Sequence, residues 1–233
     1  MNSVTHQITH GPSFSMLRCE LSSRDKVVAQ AGSMVARSSG VKMEVKLNAG
    51  HSGGFWAFVT ALLVAVIRKV IGGETFFVNH FTTSQQGSVW LAPSLSGDIV
   101  HRKLAGGKIT LSAGAFLASS GDIDIQMKWG GLRALLAKEG LFFLEISGTG
   151  DLWFNSYGGI QPIDVNGSYV VDNGHLVGFE GSLTYDIKSV SGNVLGLLAS
   201  GEGLVCEFRG QGRVYIQSRN LDALVSWITP YMP

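Results

Sequence analysis

An aspartate directly ahead of a turn and a histidine is the arrangement in this chain best suited to chemistry. In Asp172-Asn173-Gly174-His175 a carboxylate could orient an imidazole for general-base work. The Asn-Gly pair inside that motif is also a strong turn signal, because both residues tolerate positive φ. The corresponding positions elsewhere read Ala31-Gly32-Ser33 and Ala113-Gly114-Ala115, with no acid–imidazole pair. The expectation is therefore a turn carrying a surface histidine. The other histidines are His6, His10, His51, His80 and His101, and none sits in a His-Glu-x-x-His pattern. His6 and His10 are at helical spacing, but Thr5, Gln7, Thr9, Gly11 and Pro12 around them do not suggest a helix.

Glu74, Glu139 and Glu202 recur at matching places along the chain. A recurrent carboxylate could act as a ligand or general acid; one repeated in every copy is read as structural, accepting hydrogen bonds from turn amides. Gly148-Thr149-Gly150 lacks both the Gly-x-Ser-x-Gly elbow and a P-loop lysine, and is read as a hairpin. Cys19 and Cys206 show no metal-ligand spacing and are expected to be free thiols in a reducing compartment. No catalytic, cofactor-binding or metal-binding residue is assigned, and a non-enzymatic chain is expected.

The elements that carry these residues repeat. Glycines at Gly32, Gly114 and Gly174 are each followed, at the same offset, by an alternating apolar strand. The three strands are Val41-x-Met43-x-Val45, Ile123-x-Ile125-x-Met127 and Leu183-x-Tyr185-x-Ile187. Period-two alternation marks strands with one wet face. Each is followed by a Glu-led apolar run and then by a glycine with an apolar-aromatic-apolar triplet: Gly87 with Val89-Trp90-Leu91, Gly150 with Leu152-Trp153-Phe154, Gly212 with Val214-Tyr215-Ile216. Those glycines are expected in equivalent hairpin turns. Leu21, Leu104 and Ile163 form the third recurring landmark, ahead of the first.

The expected fold is all-β: three repeated β-sandwich units over 14–98, 99–158 and 159–220. Short helical connectors at 130–136 and 192–198 join the halves of the second and third units. A C-terminal helix follows over 221–230, capped by Asn220 and stopped by Pro230. The stretch from Val45 to Glu74 is about twice as long as its counterparts, so the first unit carries an apolar insertion over 52–72. Its segment 55–67 holds Phe55, Trp56, Phe58, Leu62, Leu63 and Val66, the candidate interface or membrane-contact residues. As a helix it spans about 20 Å, short of a bilayer core of roughly 30 Å. A buried or subunit-contact helix is favoured, with a peripheral membrane anchor flanked by Trp56 and Arg68-Lys69 as the alternative.

Composition narrows the partners. The chain has 233 residues, 45% hydrophobic and 15% charged, with a formal net charge of +1. That balance does not provide a nucleic-acid surface held by bulk electrostatics, and no nucleic-acid partner is expected. The N-terminus has no basic region followed by an apolar core, and a cytoplasmic location is expected.

Several motifs at these landmarks are more specific. They are Gly32-Ser33-Met34-Val35, Gly73-Glu74 followed by Phe76-Phe77, Leu91-Ala92-Pro93 and Gly97-Asp98-Ile99. Further on come Ser156-Tyr157-Gly158, the run from Val171 to Val177, and Gln217-Ser218-Arg219. Together with Gly148-Thr149-Gly150 they make the chain resemble the altered-inheritance-of-mitochondria (number twenty-four) family of mitochondrial-biogenesis-type proteins, formerly a domain of unknown function. The resemblance covers nearly all of 14–230. It implies units like the tryptophan-RNA-binding attenuation protein, also described as double-stranded β-helix units, and a homo-oligomer, by analogy a homotrimer. Eukaryotic relatives are implied to support inner-membrane organisation in mitochondria. Neither that role nor RNA or tryptophan binding is carried onto this chain. The function expected is a structural or scaffold protein; the alternatives are a small-molecule or nucleic-acid binding module and a peripheral membrane protein acting through 55–67.

Overall fold

Long β-rich runs punctuated by glycine become strands that pair around a shared centre. The computed structural model describes residues 4–47, 77–129, 142–189 and 204–232. In these the chain is all-β apart from 3-10 turns and one short helix. The first part holds β1 (Thr5–Thr9), β2 (Met16–Leu21), β3 (Lys26–Gln30), β4 (Met34–Arg37), β5 (Val41–Leu47), β6 (Phe77–Thr83) and β7 (Gly87–Leu91). The second holds β8 (Ile99–Ser112), β9 (Phe116–Trp129) and β10 (Phe142–Asn155); the third holds β11 (Ile160–Asp172), β12 (Leu176–Ser189) and β13 (Leu204–Gln217). Single 3-10 turns at Ala113–Ala115 and Asn173–His175 join β8 to β9 and β11 to β12. The connectors at 130–136 and 192–198, the insertion 52–72 and the three recurrent glutamates lie outside the described residues.

One pairing rule recurs. β10 lies antiparallel between β8 and β9, and β13 lies antiparallel between β11 and β12. The first part obeys the same rule in halves, with β7 between β2 and β4 and β6 between β3 and β5. Leu21↔Gly87 and Lys26↔Thr82 belong to one unslipped register across the break. That break is a tight turn, in which the Asp25 carboxylate accepts hydrogen bonds from the Ser22 amide at 2.7 Å and the Ser22 hydroxyl at 2.6 Å. The ladders gather into a four-stranded sheet, β1-β2-β7-β4, and a nine-stranded sheet, β11-β13-β12-β8-β10-β9-β3-β6-β5.

Two sequence expectations need correction here. Gly150 and Gly212 do not sit in hairpin turns; each lies inside a continuous 14-residue strand, β10 or β13. Only Gly87 starts a strand after a bend. A Cβ on Gly150 would stand 2.0 Å from the Ser120 carbonyl oxygen, and one on Gly212 2.2 Å from that of Glu180. Close approach of the β9 backbone at Gly150 and of the β12 backbone at Gly212 explains these glycines, rather than chain reversal. Second, Ile163 is not the counterpart of Leu21 and Leu104. Register sets Leu21 opposite Gly87, Leu104 opposite Gly150 and Val165 opposite Gly212. A bulge in the β8–β10 ladder, at Ser147/Thr149, adds a residue that the β11–β13 ladder lacks, so matching by spacing alone slips.

The C-terminal helix α1 (Leu221–Ile228) begins at Asn220, whose side-chain oxygen accepts from the amides of Asp222 at 2.9 Å and Ala223 at 3.3 Å. Its apolar residues are not buried: Leu221, Val225, Trp227 and Ile228 are all exposed.

The repetition extends to charge. Glu145 on β10 accepts from Lys108 at 3.0 Å and lies 3.7 Å from Lys128. Its counterpart on β13 is Glu207, paired with Lys188 and Arg209, whose hydrogen bonds hold that carboxyl down at about 2. In the first part the same place on β6 is taken by His80. Partial burial, followed by the charges of Lys26 and Lys46, keeps its imidazole below the usual value, opposed by Glu44. A histidine with a depressed folded-state pKa is held neutral by the fold. Its contribution is present above the unfolded value of 6.5 and is lost as pH falls below it. His80→Glu therefore restores the lysine-flanked carboxylate of the other two parts. We expect it to raise stability near neutral pH by roughly 0.5 kcal/mol. It should also flatten the loss between about pH 7 and about pH 5, as read from urea midpoints; a less stable variant with an unchanged acid slope contradicts the equivalence.

Candidate functional site

Where β9 of the second part meets β3 of the first, the fold buries a carboxylate. Asp151 follows Gly150 on the central strand β10 and is 2% exposed. It faces Ser120 across the β9–β10 ladder and His101 on β8. The His101 Nε2–H donates to Asp151 Oδ1 at 2.9 Å, and the Ser120 hydroxyl donates to Oδ2 at 3.5 Å. The His6 ring, brought in on edge strand β1, lies 4.2 Å from the His101 ring and 5.1 Å, edge on, from Trp153. His101 in turn stacks on Trp153 at 5.5 Å. The His6 ring nitrogen Nδ1 bonds the Val4 carbonyl, just ahead of its strand, 3.2 Å away.

This geometry does not set up a serine nucleophile. A hydroxyl nucleophile needs its proton taken by an imidazole, with the acid behind the imidazole. Here the serine and the histidine both donate to the acid. Cys19, buried beside them, is no better a nucleophile: burial, followed by the charges of Asp151 and Glu20, pushes its thiol up to about 12. Among the described residues, no three His, Cys, Asp or Glu side chains are placed to hold a metal. The cluster ties β1, β8, β9 and β10 together across a junction.

The next junction, where β12 meets β8, carries the counterpart set. Arg102 reaches Glu180 at 3.0 Å, and the Tyr215 hydroxyl donates to the same carboxylate at 2.7 Å. Tyr215 holds the strand position of Trp153, and Glu180 that of Ser120. Residues at equivalent places thus make different bonds to one end, attachment of neighbouring parts.

The sequence-predicted residues fall as follows. Asp172 accepts from the Gly174 amide at 2.8 Å, while His175 Nδ1 lies 2.7 Å from the Gln217 carbonyl. That places the motif in a 3-10 turn, as its Asn-Gly pair suggested. Cys19 and Cys206 are both free and buried, and burial, then Asp172, pushes the Cys206 thiol up to about 12. Phe55, Trp56, Phe58, Leu62, Leu63 and Val66 lie outside the described residues. Among the described residues no helix is long and apolar enough to cross a membrane. Sequence reading missed Asp151, His101 and His6. Their separation in the chain hides them, and only the position of Asp151 beside the recurrent Gly150 pointed there.

Fold and site define an all-β, antiparallel protein whose buried polar groups join its parts. Comparison with known proteins gives the family: the chain belongs to the mitochondrial biogenesis AIM24 family, whose description matches residues 6–219. It is 32% identical over 235 residues to an uncharacterized protein of Streptococcus pyogenes serotype M6, covering 100% of this chain and 92% of that protein. The crystal structure of a Streptococcus pyogenes structural-genomics target, 30% identical, matches with a TM-score of 0.81 over 98% of this chain and 100% of that one.

A structural role for Asp151 has a direct consequence. Asp151→Ala strands the donors of His101 and Ser120 in a closed junction. It should lower the unfolding free energy by on the order of 3 kcal/mol in urea titration. A loss below about 1 kcal/mol contradicts the role.

Proposed function

We propose that this chain is a non-enzymatic scaffold subunit that works by assembling with copies of itself. One observation carries the reading: among the described residues, large apolar side chains stand exposed on the edge strands β4 and β11 and along the C-terminal helix. Val35 on β4, Tyr169 and Val170 on β11, and Trp227 and Tyr231 at the C-terminus are all exposed. Tyr169 and Val170 are neighbours on β11 and the Trp227 and Tyr231 rings lie 6.0 Å apart, and exposed apolar groups of this size mark surfaces of association. The chemistry-bearing side chains that lie inside, by contrast, are engaged in holding the parts together. A homotrimer is the state we assign, by analogy with the ring-forming fold that the family resemblance implies.

Native mass spectrometry of the full chain tests this. We expect a single multiple of the 24.9 kDa subunit, three, persisting at low micromolar concentration. A monomer at that concentration overturns the proposal, and a stable multiple other than three overturns the number.

A further inference from the structure

Each junction inside the chain follows one recipe. The first strand of one part pairs, for three residues, with the second strand of the next. Between the first and second parts the pairs are Ala29↔Ala118, Val28↔Ser119 and Val27↔Ser120. Between the second and third they are Leu111↔Gly178, Thr110↔Phe179 and Ile109↔Glu180. Side chains then cross over. Leu117, Ala118 and Trp153 of the second part belong to the core cluster of the first, with Leu17, Cys19 and Val27. Val177 and Tyr215 of the third belong to the core cluster of the second, with Leu104, Ile109 and Leu111. The third core gathers around Val165, Val171, Phe208 and Val214 of the third part with Phe143 of the second, and among the described residues no following part adds to it.

Two ends of this recipe are left over. On β11 the positions of Val27 and Ile109, each 0% exposed, are taken by Tyr169 at 41%. Beside it Val170 is 56% exposed. On β4 the position of Leu117 (0%) and Val177 (1%) is taken by Val35 at 54%. Trp90 on β7 stands where Trp153 and Tyr215 stand, and is only half-buried, with the Arg18 guanidinium 5.3 Å from its ring centre. The chain therefore presents an acceptor edge with its apolar neighbours at one end and the matching donor, Val35 with Trp90, at the other.

We infer that copies join head to tail through these ends, β11 of one copy pairing antiparallel with β4 of the next as Val171↔Ala36, Val170↔Arg37 and Tyr169↔Ser38. Val35 and Trp90 enter the third core of the neighbour beside Ile163, Val165 and Val171. The partner surface is a second copy because both halves of a junction, twice closed within the chain, are present and, among the described residues, unclosed on it. Two different patches meet, so the contact is heterologous, and a finite assembly of such contacts is a closed ring. This rests on the self-association proposed above and specifies where it occurs.

The test is a designed disulfide. Directly paired antiparallel residues have Cα atoms about 4.5–5.5 Å apart, within disulfide reach. Val170→Cys and Arg37→Cys both fall on exposed positions and leave the buried native thiols in place. Diamide oxidation of the double variant should yield covalently joined chains up to the native multiple on non-reducing gels. An equimolar mixture of the two single variants should give mainly the cross-linked heterodimer, and this decides the matter if the double variant folds poorly. An assembled protein whose cysteines stay unlinked, or link only like to like, overturns the junction and leaves self-association standing. A wild-type chain that is monomeric by native mass spectrometry removes both.

Discussion

No part of this molecule completes its core alone. A first strand offers a short paired edge and an apolar surface. The next part fills it with a second-strand ladder, a plug at Leu117 or Val177, and an aromatic ring at Trp153 or Tyr215. Burying one such side chain contributes roughly 1.5–3 kcal/mol, so a few per junction weigh heavily against the marginal stability of a domain. Close approach also explains the glycines at Gly150 and Gly212, where the backbone of β9 or β12 leaves no room for a Cβ.

The polar groups follow from the same constraint. A junction that excludes water must satisfy any charge it encloses. Asp151 is met by His101 and Ser120, and Glu180 by Arg102 and Tyr215. Acid, imidazole and hydroxyl in one place suggest a serine relay until the direction of the hydroxyl is considered. Ser120 and His101 both donate to the carboxylate, so the hydroxyl is not activated by the imidazole and Asp151 is held from two neighbouring strands.

Much of this was legible in the chain. The three alternating strands, the recurrent glycines, the helix capped by Asn220 and the turn at Asn173-Gly174 follow from local rules of φ preference, period and capping. Placing Gly150 and Gly212 in hairpins failed because a glycine between two β-rich runs looks the same whether the chain reverses or another strand crowds it. Ile163 was mismatched with Leu21 and Leu104 because the parts differ in length between this position and the following glycine, one residue of it at the β8–β10 bulge, and spacing alone does not show where pairing register shifts. His6, His101 and Asp151 were invisible as a group, since three strands distant in sequence bring them together. The family resemblance, in contrast, rested on short motifs such as Gly97-Asp98-Ile99 and Ser156-Tyr157-Gly158, which hold the approach of two linkers at the Gly97↔Gly158 bridge.

Amide hydrogen exchange followed against protein concentration bears most directly on the claim that one junction rule governs the molecule and continues beyond it. Amides of 27–29 and 109–111, closed within the chain, should be protected at every concentration. Within 169–171 and 36–37, the amides that face the open strand edges should be fast in dilute solution and gain protection together as the protein assembles. Fast exchange at those edge amides in the assembled protein, alongside protected internal junctions, would contradict the account.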